Sequence, residues 1–132
     1  MSRFMEAAAG SDVQLYVSTF YQEGGSPEFD EGFKAWLSED STAMTNNGGN
    51  DTIAAVTAMG YDAYYVALEA LKAAGSTDPA AVKAALPGVG HTGVNGDIAF
   101  DDIGDAIRDT AYIKVADTAN NAWALETMQK AG

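Results

Sequence analysis

The sequence contains no cysteine. Disulfides, thiol nucleophiles, thiolate metal sites and lipid attachment at cysteine are therefore excluded for these 132 residues. Basic residues are scarce: 7 lysines and arginines stand against 19 acids, for a net charge of −12. Such a balance repels phosphate backbones and anionic lipid, so neither a nucleic-acid partner nor electrostatic membrane attachment is expected. No apolar run approaches the roughly 18 residues of a membrane-spanning helix. The first ten residues lack the continuous apolar stretch of a signal peptide, and Glu6 interrupts them. An export signal, if the protein works outside the cytoplasm, is then expected to be missing from this chain. What is present is a 47% hydrophobic composition. A chain of this length buries about two-thirds of its surface as one domain, so disorder is not expected.

Val13, Leu15, Val17 and Thr19 alternate with Gln14, Tyr16, Ser18 and Phe20, which predicts a strand. Ser26-Pro27-Glu28 predicts a helix start: a capping serine, proline at the first position, and an acid at the positive end of the dipole. Phe29, Phe33, Trp36 and Leu37 share one face of that helix, which should stop near Glu39. Residues 41–50 are polar and Gly/Asn-rich and read as a loop. A long helix follows, with Ile53, Val56, Gly60, Tyr64, Ala67, Leu71 and Ala74 as its apolar stripe. Gly60 either permits close packing or divides this stretch before Tyr61, and Gly75 caps the end. Asp78-Pro79 opens a further short helix that Pro87-Gly88 closes. Strands are expected around Val94–Phe100, Ala111–Val115 and Trp123–Thr127, separated by turns at Asp101–Asp105 and Asp117–Asn121. The resulting fold class is α/β: strand, three helices, then a strand meander. One strand and a distant meander do not close a single sheet, so unpaired edges are expected.

Few motifs carry chemistry. Gly88-Val89-Gly90-His91-Thr92-Gly93 matches a dinucleotide-binding glycine pattern, but a helix precedes it and a strand follows. That is the inverse of what pyrophosphate binding needs, and the segment reads as a flexible connector. His91, the only histidine, reads as an exposed loop imidazole: no serine sits in a nucleophile context, and zinc needs more nitrogen or sulfur ligands. Asp101, Asp102 and Asp105 lack calcium-loop spacing and read as a solvated turn. Asn50-Asp51-Thr52 fits a glycosylation sequon and reads rather as a helix cap. No cofactor is implied. Tyr61, Tyr64 and Tyr65 gather at the head of the long helix, where they serve either core packing or a ligand cleft.

Taken in order, several stretches resemble the type 1 periplasmic binding proteins, in the leucine/isoleucine/valine-binding branch of ABC transporter receptors. They are Val17-Ser18-Thr19-Phe20-Tyr21, Pro27-Glu28-Phe29 through Trp36, and Gly60-Tyr61-Asp62-Ala63 with Ala67 through Pro79. Thr92 through Asp101, Gly104-Asp105 and Tyr112-Ile113-Lys114-Val115 complete the series. The resemblance implies a partial, flavodoxin-like lobe of that fold and a non-catalytic role. Residues 11–21 would be a hinge strand, 26–86 the helical part of one lobe, and 92–132 strands returning through the hinge to the other lobe.

It also implies a truncated C-terminal part of a longer receptor, with Met1 as an added start. The parent would work in the periplasm or outside the cell, membrane-associated, closing two lobes on a small amino-acid-like ligand and delivering it to an ABC permease. By the same resemblance Tyr61 faces the ligand, Asp62 suits its ammonium, and Phe20 and Tyr21 line the cleft. For Asp62 an ordinary helix N-terminal charge is the competing assignment. Little binding is expected of this chain alone, and exposed apolar surface predicts a homo-oligomer, with exchange of elements between copies as one route. The alternative is a self-standing α/β interaction or sensor module.

Overall fold

The computed structural model of the chain describes residues 3–131; Met1, read above as an added start, lies outside them. Along the chain run α1 (Arg3–Ala8), β1 (Tyr16–Thr19), α2 (Pro27–Glu39), α3 (Ser41–Asn46), α4 (Ala55–Ala74) and α5 (Pro79–Ala85). A 3-10 turn over Leu86–Gly88 follows, then β2 (His91–Gly93), β3 (Gly96–Phe100), β4 (Ala106–Ile107), β5 (Thr110–Asp117) and β6 (Ala122–Lys130). The class is α/β with open sheets. The strands divide between two three-stranded sheets, β1-β5-β6 and β2-β3-β4, and every pair is antiparallel. The chain likewise forms two compact units, one from residues up to Gln22 with those from Asp109 onward, the other from Glu23 to Arg108.

In the first unit β5 is central, pairing Tyr16 with Val115 on one side and Tyr112 with Met128 on the other. All eight residues of β5 are half-buried, and β6 is exposed apart from half-buried Trp123. β6 is thus an open edge, as the sequence predicts. The β5–β6 turn is held by Asp117, whose Oδ1 accepts from the Asn120 N–H at 3.1 Å and whose Oδ2 accepts from Asn120 Nδ2 at 2.7 Å.

The second unit packs α4 on the β2–β3 hairpin. Its core is Val66 and Ala70 of α4 with Val89 and Ile98, flanked by Val82, Leu86 and Phe100. Burying an Ile or Val of this kind contributes about 1.5–3 kcal/mol. α4 is continuous through Gly60 and ends at Gly75, whose φ of 58° lets its N–H reach the carbonyls of Leu71 and Lys72. Asp78 caps α5 by accepting from the Ala81 N–H at 3.2 Å. Asp101 Oδ1 accepts from the N–H groups of Ile103 and Asp105, building the expected turn.

Five local expectations are corrected. Residues 41–46 are helical rather than loop, because Asp40 Oδ1 caps Thr42 N and Ala43 N at 2.9 Å and Ala43 is buried. Of the expected stripe Ile53 is buried just before α4 and Ala74 is half-buried at its end, but Val56, Gly60, Tyr64, Ala67 and Leu71 are exposed, and the buried face of α4 is Ala58, Asp62, Val66 and Ala70. Asn50 and Asp51 do not cap α4; Asn50 Oδ1 closes a local turn on Thr52 N, and the helix starts after Ala54. Ser26 precedes α2 without a side-chain capping bond, so proline and the first-turn acids Glu28 and Asp30 carry that start. Finally, the Gly-rich connector is ordered by pairing: His91, Thr92 and Gly93 face Ile98, Asp97 and Gly96.

Candidate functional site

The second unit carries an open groove of about 470 Å³. Ser26, Glu28, Phe29, Gly32, Phe33 and Trp36 line it from α2 and its start, Tyr61 from α4, and Val94 from the β2–β3 turn. The α2 residues reach one wall because positions three and four apart share a helix face. The rings form a continuous series. Trp36 and Phe33 have centroids 5.7 Å apart, Phe33 and Phe29 6.1 Å, Phe29 and Tyr61 4.8 Å, and Tyr61 and Tyr65 5.0 Å. Tyr65 continues the series to Tyr64, edge-on at 5.4 Å, and to the His91 imidazole, nearly parallel at 5.9 Å. His91 is therefore a half-buried strand residue stacked on a tyrosine, not an exposed loop imidazole.

Trp36 is 51% exposed and Tyr61 43%, so these two rings are open to solvent. The hydroxyls of Tyr61 and Tyr65 are hydrogen-bonded at 3.3 Å. That bond, with partial desolvation and the nearby charges of Glu28 and Asp62, holds the Tyr61 phenol above the usual tyrosine range.

Asp62 follows Tyr61 in sequence but lies elsewhere. Its side chain is fully buried, and its carboxylate accepts from Val94 N at 2.8 Å, Asn95 N at 2.9 Å and Asn95 Nδ2 at 2.8 Å. The hairpin turn is thereby fastened to the middle of α4, well inside the helix rather than at its N-terminus. Gly93 is part of the same joint: a Cβ there would overlap the Asp62 carboxylate, 2.7 Å from Oδ2 and closer still to Oδ1 and Cγ.

Phe20 and Tyr21 belong to the first unit, where Phe20 is 46% exposed and Tyr21 is buried. Of the four residues singled out by resemblance, Tyr61 alone lines the groove. The other seven lining residues were not singled out as site residues. The signal that points to them is aromatic excess: α2 places three rings on one face where Phe29 and Leu37 suffice for its buried contacts. Among the described residues, no cluster of three or more His, Asp or Glu is arranged to hold a metal ion. Nor is any helix among them long and apolar enough to cross a membrane.

The fold is similar to that of a solved structure, the leucine binding protein LivK of Thermotoga maritima. The TM-score is 0.67 and the sequences are 24% identical, over 96% of this chain and 33% of that one. The likeness establishes the fold. This chain spans about a third of the length of that protein and shares its fold over that part. No family model matches the sequence, and no curated protein matches it.

Proposed function

We propose that this chain is part of an extracytoplasmic solute-binding component of an ABC transporter and supplies one wall of its ligand site. The observation that carries the proposal is the open aromatic groove between α2, α4 and the β2–β3 turn, in a fold shared with a leucine binding protein. Ligand sites are concave, mainly apolar, and carry a few placed polar groups, and this groove has that make-up. The ligand is a small polar molecule with an apolar part, of the amino-acid kind. Tyr61 and the α2 rings contact it, and Asp62 acts through the hairpin it holds. Residues 11–21 serve as a hinge strand, 26–86 as the helical part of one lobe with β2, β3 and β4 beside it, and the strands from Asp109 onward return through the hinge to the other. Closing two lobes shifts an equilibrium that the ligand drives only by its preference for the closed form. The closed form is then what an ABC permease receives. The role is binding, not catalysis.

With one wall present, affinity is weak. Titrating the chain with a panel of amino acids and small ammonium compounds, followed by the NMR signals of Trp36 and Tyr61, should give saturable shifts in the millimolar range. The proposal fails if no compound shifts these rings, or if micromolar binding maps to another surface. Copies of the chain are also expected to associate, because Val17, Leu125 and Met128 are exposed on β1 and the edge strand β6. Light scattering that finds only monomer at high concentration refutes that part.

A further inference from the structure

We propose that the groove selects organic cations, alkyl- or arylammonium compounds, over zwitterionic and anionic solutes; this rests on the reading of the groove as a ligand site and replaces the amino-acid kind of ligand given there by a cationic one. Phe29, Phe33, Trp36 and Tyr61 line it, and the face of an aromatic ring carries negative quadrupole potential that attracts cations held within about 6 Å. Glu28 is the one charged side chain among the described residues that line the groove. No lysine, arginine or histidine stands among those lining residues, so a ligand carboxylate has no basic partner there and meets Glu28 instead. Lys34, on the same helix, is bonded to Glu23 at 2.7 Å.

The start of α2 does place a partial positive charge of about half a unit near Ser26. Two acids in that first turn, Glu28 and Asp30, oppose it, and Asp30 already accepts from the Gly24 N–H at 2.6 Å. Glu28 is left exposed beside the rings. The long-range field has the same sign, since the chain carries −12 overall. Gly32 keeps the groove deep: a Cβ there meets no atom within 4 Å, so a larger side chain grows into open space.

The test compares probes of equal bulk and opposite charge. Phenethylammonium, tetramethylammonium, 3-phenylpropionate and leucine are titrated against the full chain while the Trp36 and Tyr61 signals are followed. Both ammonium probes should saturate in the millimolar range, with 3-phenylpropionate at least tenfold weaker. Glu28→Gln should weaken the ammonium probes about threefold to tenfold, the range expected on losing one charge contact at an open site. Gly32→Leu should abolish binding, and because leucine favours helix over glycine it leaves α2 intact, which far-UV circular dichroism verifies. Equal binding of 3-phenylpropionate and phenethylammonium, or an unchanged affinity in Glu28→Gln, overturns the cation preference. Leucine binding as tightly as the ammonium probes, or more tightly, also overturns it, while the ligand site itself stands. If none of the probes moves the ring signals, ligand site and cation preference fall together.

Discussion

Replacing Gly93 with alanine adds one methyl group where the Asp62 carboxylate already lies. The backbone of Gly93 is not in the left-handed region, so alanine is otherwise acceptable there. With Asp62 absent, it would be expected to help by about 0.4–1 kcal/mol through a stiffer unfolded chain. With Asp62 present, either the carboxylate or the hairpin must move, and three bonds of 2.8–2.9 Å to Val94 N, Asn95 N and Asn95 Nδ2 are broken or stretched. Each hydrogen bond to a charged group contributes about 1.5–3 kcal/mol, and losing the partners of a buried charge costs about 3–5 kcal/mol in all. Gly93→Ala should therefore destabilise the second unit by about 3–5 kcal/mol. Asp62→Ala, which strands the same donors, should cost about 2–4 kcal/mol. The double variant should cost no more than Asp62→Ala alone, because the deleted carboxylate vacates the space the methyl needs. Urea denaturation followed at 222 nm reads this unit, since α2 to α5 all lie in it. Two results refute the reasoning: a Gly93→Ala cost below about 0.5 kcal/mol, the size of an ordinary surface change, or additive costs in the double variant.

Glu23 should matter more than its ion-pair partner. Lys34→Met removes a half-exposed pair at 2.7 Å and should cost about 0.5–1 kcal/mol, whereas Glu23→Ala also leaves the Ile53 N–H without its 3.0 Å acceptor and should cost about 1 kcal/mol more by the same melting curves. The Glu23 hydrogen bond raises the Lys34 pKa, so this pair's contribution is complete below the ordinary lysine value of 10.5 and disappears as pH rises through the raised value; stability curves from pH 9 to 12 check the sign. Tyr61, raised first by its bond to Tyr65, should ionise late in an absorbance titration at about 295 nm, and Tyr65→Phe should bring it back toward the ordinary tyrosine range. Asp78→Ala should cost about 1 kcal/mol by removing the cap of α5, and Asp78→Asn should recover most of it.

Elements announced by their own termini were legible in the sequence. Pro27 with two first-turn acids marks α2 even though Ser26 forms no capping bond. Asp78-Pro79 marks α5, and Asp101 and Asp117 mark the two tight turns. What was hidden depends on partners distant in the chain. By its own residues the segment His91-Thr92-Gly93 looks like glycine-rich connector, and only the resemblance made Thr92 and Gly93 strand; pairing with β3 and packing on α4 make it one. The helix over Ser41–Asn46 is mostly polar, and Asp40 with one buried alanine decides it. The groove was legible only in part. Its α2 face shows in the spacing of Phe29, Phe33 and Trp36, but Val94 enters as a turn residue whose place nothing local fixes.

The misread face of α4 explains that gap. A stripe sought among apolar residues passes over Asp62, because a carboxylate does not look like a core residue. Yet Ala58, Asp62, Val66 and Ala70 recur every four residues, the spacing of a single helix face. Asp62 belongs to that face because the hairpin brings three donors to it. Neighbours on a helix point about 100° apart, so burying Asp62 turns Tyr61 away from the hairpin joint and toward Phe29. The same carboxylate bonds the Val94 N–H, and Val94 is the hairpin's contribution to the groove wall. One buried acid thus settles the register of the hairpin on α4 and brings Val94 to the groove that Tyr61 also lines. Loss of Asp62 should therefore displace the groove wall even in a chain that still folds. Ring-current shifts of the Val94 methyls are the direct readout, and unchanged Val94 shifts in a folded Asp62→Asn variant would contradict this coupling.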